Sequence, residues 1–182
     1  MNVVLASRSP RRTELLDRAG VGVTVDPADI DESPWVGESP ADYAVRIASD
    51  KLRAVASRHP GATVVAADTT VTVDGVILGQ PVDDDDARRM LSMLSGRAHL
   101  VLTAVAVSVD GGHRSALVTS TVTFRRLSPG RIDWYVATGE PRGKAGSYAD
   151  QGLGQSLVAG VAGSLTNVIG LPVPETLALL VP

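Results

Sequence analysis

The segment Ser7-Arg8-Ser9-Pro10-Arg11-Arg12 places three arginines around a predicted helix start. The helix dipole is positive there, so the placement costs about 0.3–1 kcal/mol per charge. A bound phosphate would reverse that sign, because free N–H groups and guanidinium forks would converge on it. The competing reading is three long, solvated side chains with little energetic effect. Asp68 follows the apolar run Val64-Val65-Ala66-Ala67 and is expected at the end of a buried strand, where α/β proteins place ligand-contacting groups. A carboxylate there can bind a divalent cation or activate water; a turn or edge aspartate is the plainer reading. Lys51 lies on the apolar stripe Ala44, Ile47, Ala48, Val55, whereas Arg46, Asp50 and Arg53 do not. An inward lysine wants an anion, either a carboxylate or a phosphate, unless it snorkels to water. Glu32 sits in an acidic loop with Asp26, Asp29 and Asp31, which is either a second metal-binding carboxylate or a solvated acidic surface. The run Asp83-Asp84-Asp85-Asp86 opens a predicted helix, so it reads as capping, with Asp84/Arg88 and Asp85/Arg89 as i,i+4 pairs.

These residues need elements to position them. Residues 3–6 read as a short buried strand. Ser9-Pro10 reads as an N-cap with proline at the first helical position, and Gly20 ends that helix. Residues 21–25 form a second short strand and 26–38 a loop. Ser39 to Asp42 resembles a capping box, so a helix runs from there to about Arg58. Residues 63–73 are rich in valine and threonine and read as a strand. Asp74-Gly75 then predicts a two-residue hairpin returning through Val76-Ile77-Leu78. Counting back from that turn pairs Thr69 with Gln80 and Asp68 with Pro81, with fraying expected at the proline. A helix over 83–95, strands over 100–109 and 116–124, and helices over 128–137 and 172–180 follow. Residues 139–170 are glycine-rich and read as mostly irregular. Strands and helices alternate first and a β-rich stretch follows, which predicts α/β with a mixed sheet.

Composition narrows the chemistry. The 182 residues have a formal net charge of −3 and 3% aromatic content, so neither a basic footprint nor a stacking platform for a nucleic acid polymer is present. Cysteine is absent, which excludes thiolate metal sites and cysteine nucleophiles. His59, His99 and His113 are too far apart for a helical ligand pair. No window holds 18 apolar residues and no signal peptide is recognised, so no membrane association is expected and the expected location is the cytoplasm. Neither Gly-x-x-x-x-Gly-Lys-Ser/Thr nor Gly-x-Ser-x-Gly occurs. Arginines, an inward lysine and two acids remain, which suggests a polyphosphate held by cations, a divalent metal, and water as nucleophile.

Several short pieces recur in one order along the chain. They are Leu5-Ala6-Ser7-x-Ser9-Pro10-Arg11-Arg12, Asp31-Glu32, the Lys51 helix, Ala67-Asp68-Thr69 and Leu78-Gly79-x-Pro81. Gly139-Glu140-Pro141, Lys144-Ala145-Gly146, Tyr148 with Gln151-Gly152, and residues 167–172 complete the set. Each is modest alone, but the collinear set resembles the Maf family of nucleoside triphosphate pyrophosphatases, as one Maf-like domain over residues 1–182. The resemblance implies an α/β fold with a mixed twisted sheet flanked by helices and two lobes around a deep cleft, similar to inosine triphosphate pyrophosphatases and often homodimeric. It implies metal-assisted hydrolysis, with Mg²⁺ or Mn²⁺, of a nucleoside triphosphate to the monophosphate and pyrophosphate, discarding unwanted nucleotides. By position Asp68 matches the family's catalytic acid/base and metal ligand, and Glu32 an acid near the metal. Ser7, Arg11, Arg12 and Lys51 match phosphate-site residues.

Arg11, Thr69 and Gln151 match the positions that separate the branches, and resemble the branch acting on dTTP, UTP or modified pyrimidine triphosphates. Three departures stand out. Gln80 replaces the usual lysine of the substrate site, Ala149-Asp150 replaces a common Gly-Ile, and Gly143 stands where an acid is common. They leave two alternatives open: the same reaction on another nucleotide such as 7-methyl-GTP, or a nucleotide-binding regulatory protein with weak or lost turnover.

Overall fold

The computed structural model describes residues 3–181. Among these residues a seven-stranded mixed sheet carries six α-helices on its faces and ends. In chain order the elements are β1 (Val3–Leu5), α1 (Pro10–Arg18), β2 (Val23–Val25), α2 (Pro40–Ala56), β3 (Thr63–Val73), β4 (Val76–Leu78) and α3 (Asp84–Leu94). Then come β5 (Ala98–Val109), β6 (Gly112–Phe124), α4 (Pro129–Ala137), β7 (Val158–Ala162), α5 (Leu165–Ile169) and α6 (Val173–Leu180). Two 3-10 turns, Ala145–Ser147 and Gly152–Leu157, lie between α4 and β7. The strand order is β2-β1-β3-β5-β6-β7, with β4 also pairing β3.

The long strand β3 organises the molecule. One edge pairs antiparallel with β5 from Val64 to Thr72. The other edge is shared: β1 pairs parallel with residues 63–65, and β4 pairs antiparallel with residues 71–73. Residues 66–70 therefore have no strand partner on that edge among the described residues. Asp68 lies in the middle of this gap, so it sits mid-strand and not at the strand end that the apolar run predicts. The hairpin turn forms as expected, with Val73 opposite Val76 and positive φ at both Asp74 and Gly75, the geometry of a type I′ turn. The ladder, however, stops at Val71↔Leu78, before the expected pairing of Thr69 with Gln80. Beyond Leu78 the Gly79 carbonyl accepts the Gly146 N–H at 3.1 Å, so the chain leaves β3 for the 145–147 turn.

Strand alternation sorts the core into two faces. Val64 and Ala66 point toward α2 and join Val4, Ala44, Ala48, Leu52 and Val55. Val65 and Ala67 point the other way and join Leu5, Leu15, Leu16, Leu171 and Leu180 from β1, α1, the α5–α6 connection and α6. At the far end Val71, Val73 and Leu78 join a third cluster with Leu91, Leu94, Phe124, Tyr135 and Leu157.

Helix starts follow their sequence signals in most places. Ser39 Oγ accepts the Asp42 N–H, Asp83 accepts the Asp86 N–H, and Ser128 Oγ accepts the Arg131 N–H. The aspartate run thus caps α3, although its arginine pairs are Asp85–Arg88 and Asp86–Arg89 at i,i+3 spacing, not the expected i,i+4. Ser9 occupies the cap position of α1 but its side chain makes no cap bond. The second expected strand, at 21–25, shortens to β2, and the stretch read as irregular contains both β7 and α5. No helix among the described residues is long and apolar enough to cross a membrane.

Candidate functional site

A cavity of about 590 Å³ opens at the gap in β3. One wall is the β1–α1 turn, α2 and the loop before it; the other is the end of β4 and residues 143–150. Ser7, Arg11, Arg12, Glu32, Lys51, Asp68, Thr69 and Gln80 all line it. The sequence scatters these eight over more than seventy positions, and the fold brings them to one space.

The acidic corner is built from α2 and β3. Ile47, Ala48 and Val55 seat α2 on the sheet, which turns Lys51 inward with its side chain 11% exposed. Its Nζ donates to Asp68 Oδ1 at 2.9 Å and to Glu32 Oε2 at 2.8 Å. Thr70 Oγ1 donates to the other Asp68 oxygen at 3.1 Å. Glu32 is reached because its loop is pinned. The Tyr43 hydroxyl donates to the Glu32 carbonyl, and Arg46 makes a forked pair with Glu38 while its guanidinium stacks 4.1 Å over Trp35. Burial, reinforced by the fields of Asp68 and Glu32, pushes the Tyr43 hydroxyl up to about 12, so it remains a donor at neutral pH.

The basic corner lies on the opposite face of β3. Arg12 is 8% exposed and has no carboxylate within ion-pair distance among the described residues. It donates through Nε to the Gly170 carbonyl at 2.8 Å, through Nη1 to Ser7 Oγ at 3.1 Å and through Nη2 to Thr69 Oγ1 at 3.0 Å. Desolvation lowers its pKa against the field of Asp68. Arg11, half-buried, makes no hydrogen bond or ion pair among the described residues, and burial lowers its pKa too. Lys144 Nζ donates to the Glu140 carbonyl at 2.6 Å; burial lowers its pKa, and repulsion from Arg11 adds to the effect. Uncompensated cations around an uncapped helix start form an anion-binding corner. Of the readings open for the arginine segment, the solvated one fits only Arg8, which is exposed and pairs with Asp29 at the cavity mouth.

Three placements depart from the sequence picture. Gln151 is half-buried at the start of the Gly152–Leu157 turn and is not among the residues lining the cavity. Its neighbour Asp150 does line it. Gln80 is exposed on the rim and makes no side-chain hydrogen bond among the described residues. Tyr148 and Lys144 also line the cavity, and only their place in the motif set signalled them.

Known proteins now bear on the same geometry. The profile of the family described as Maf-like protein matches residues 2–181. The chain belongs to the Maf family. A dTTP/UTP pyrophosphatase of Myxococcus xanthus is 55% identical over 179 residues, spanning 98% of this chain and 90% of that relative. Another relative, the dTTP/UTP pyrophosphatase of Methylobacillus flagellatus, is 49% identical over 180 residues, again 98% of this chain and 90% of its own length. The solved structure of the Staphylococcus aureus Ham1 protein is similar at 16% identity with a TM-score of 0.46, covering 87% of this chain and 80% of that one.

Proposed function

We propose that this Maf protein is a nucleoside triphosphate pyrophosphatase that hydrolyses dTTP and UTP, or modified pyrimidine triphosphates, to the monophosphate and pyrophosphate. The observation that carries the reading is the pairing of two carboxylates, Asp68 and Glu32, on one buried lysine inside a cavity whose other corner is cationic. The relatives' activity supports dTTP and UTP over 7-methyl-GTP.

Arg11, Arg12 and Lys144 hold the polyphosphate, with the uncapped N–H groups of α1 and Ser7 beside them. Asp68, fixed by Lys51 and Thr70, takes the proton of the attacking water as the oxygen adds to phosphorus and the phosphoanhydride bond to the leaving pyrophosphate breaks. Lys51 keeps a positive charge against the phosphates on the acidic side.

A divalent cation fits the acidic corner. Mg²⁺ and Mn²⁺ take oxygen ligands and are commonly held by one or two carboxylates plus substrate phosphates. Glu32 and Asp68 supply the two carboxylates, and Glu32 Oε1 accepts no protein hydrogen bond among the described residues. When bound, the cation polarises a phosphoryl oxygen and lowers the pKa of bound water.

Gln80 does not by itself favour the reading of a binding protein with weak or lost turnover, because Arg11 and Lys144 already bring positive charge to the cavity. Pyrophosphate release from a panel of triphosphates with Mg²⁺ tests the proposal. Release from dTTP and UTP is expected, and release only from 7-methyl-GTP, or from none, contradicts it.

A further inference from the structure

Asp150 is 8% exposed and faces the cavity. Its carboxylate makes no hydrogen bond and no ion pair among the described residues, and burial alone pushes its pKa up. A carboxylate that lines the cavity and has no protein partner is open to a donor from a ligand. It joins no cluster of three acids among the described residues that would hold a metal.

The backbone around it is held by hydrogen bonds. The Tyr135 hydroxyl donates to Glu140 Oε1 at 2.9 Å and accepts the Ala149 N–H at 3.2 Å. Glu140 also accepts the Gly154 N–H at 2.8 Å, and a Cβ on Gly154 would lie 2.1 Å from the Ala149 carbonyl oxygen. The loop is therefore closed tightly on itself, which suits a group that must discriminate between ligands.

Phosphates avoid an unpaired carboxylate, so a bound nucleoside triphosphate turns its cationic-corner end away from Asp150 and offers it a donor on the nucleoside. We infer that the Asp150 carboxylate accepts the N3–H of a uracil or thymine ring and thereby selects these bases over cytosine. The inference rests on the pyrophosphatase reading for the identity of the ligand. Cytosine carries a lone pair at the same ring position, which faces a carboxylate unfavourably. Asparagine, whose amide offers both a donor and an acceptor, would lose that discrimination.

The test is calorimetric titration with non-hydrolysable α,β-imido analogues of UTP, N3-methyl-UTP and CTP, with Mg²⁺, on the parent, Asp150→Asn and Asp150→Ala. The parent is expected to prefer the UTP analogue over both others by about tenfold or more. Asp150→Asn should cut the UTP-to-CTP ratio by about tenfold, and Asp150→Ala should bind the UTP and N3-methyl-UTP analogues alike. Both variants should melt no lower than the parent, since Asp150 makes no hydrogen bond or ion pair to the protein among the described residues; a merely structural aspartate would lower the melting temperature. If a variant fails to fold, the parent's response to N3 methylation decides the matter. A parent indifferent to N3 methylation, or variants that keep the parent's UTP-to-CTP ratio, overturns the inference. A parent that binds all three equally contradicts this inference alone, whereas a parent that binds none contradicts the pyrophosphatase reading as well.

Discussion

Asp68 and Thr69 are neighbours in β3, yet their side chains leave opposite faces of the sheet. Asp68 meets Lys51 of α2 at 2.9 Å, and Thr69 meets Arg12 of α1 at 3.0 Å. Alternation along a strand forces this divergence. Both groups reach the same cavity only because β1 stops at Leu5 and β4 starts pairing at Val71, which leaves the edge between them open.

Lys51→Met should destabilise the protein. It removes the only cation within ion-pair distance of Asp68 among the described residues and leaves a buried carboxylate unpaired. Breaking a buried pair in this way costs about 3–5 kcal/mol, at the low end here because half-exposed Glu32 can turn to water. Urea denaturation measures the loss, and Lys51→Met combined with Asp68→Asn should recover part of it. An unchanged midpoint for the single variant would mean that the pair carries no stability.

Arg12 and Arg11 should separate in experiment. The sequence suggests two phosphate-binding arginines of equal rank with little bearing on stability. Arg12, however, ties α1 to β3 and to the Gly170 turn through three hydrogen bonds. Arg12→Lys cannot reproduce that fork and should cost about 1–3 kcal/mol of stability as well as activity. Arg11→Ala breaks no protein contact, so it should leave the melting temperature within a degree or two and raise KM for the triphosphate. Equal melting temperatures for the two variants would contradict this division.

Gln80→Lys should lower KM modestly. The position is exposed on the cavity rim, where a new charge is screened and worth about 1 kcal/mol or less, roughly fivefold at most. Steady-state kinetics on dTTP at low and high salt would show the gain and its loss on screening. A raised KM would mean that Gln80 donates a specific neutral hydrogen bond to the substrate.

His99 gives the fold a pH dependence. It lies 2% exposed against Phe124, with Nε2 2.8 Å from the Tyr148 hydroxyl, and burial pushes its pKa down to about 4 from an ordinary 6.5. Below about pH 6.5 the unfolded chain takes up a proton that the folded one refuses. Stability should therefore be full above about 6.5 and decline toward pH 4, by an amount on the order of 3 kcal/mol from this group. Comparing the pH dependence of urea midpoints for the parent and His99→Gln isolates it; the variant's slope between pH 6.5 and 4 should be shallower. Equal slopes would place the acid sensitivity elsewhere.

Local signals were readable where the stabilising partner lies close in sequence. The type I′ turn at Asp74-Gly75, the serine and aspartate caps of α2, α3 and α4, and the inward stripe carrying Lys51 all depend on neighbours within a turn or two. Arg12 could not be placed that way, because its partners Thr69 and Gly170 lie 57 and 158 residues away. The segment read as irregular owes its order to equally distant contacts. Asn167 donates to the Val101 carbonyl at 3.0 Å and to Ser120 Oγ at 2.9 Å, which docks α5 onto β5 and β6. Asp68 was legible as a candidate, but the open edge around it was not, since that edge depends on where two other strands end. The order of the motif set identified the family where geometry could not yet be seen.

The proposed role of Asp68 in pyrophosphate release is tested by removing its charge alone. Initial rates of pyrophosphate formation from dTTP with Mg²⁺ are measured for the parent and for Asp68→Asn, with circular dichroism confirming that both are folded. The parent should give one pyrophosphate and one dTMP per dTTP, and the variant should lose about a hundredfold or more in kcat. A folded Asp68→Asn within a few-fold of the parent, or a parent that releases inorganic phosphate and no pyrophosphate, would contradict it.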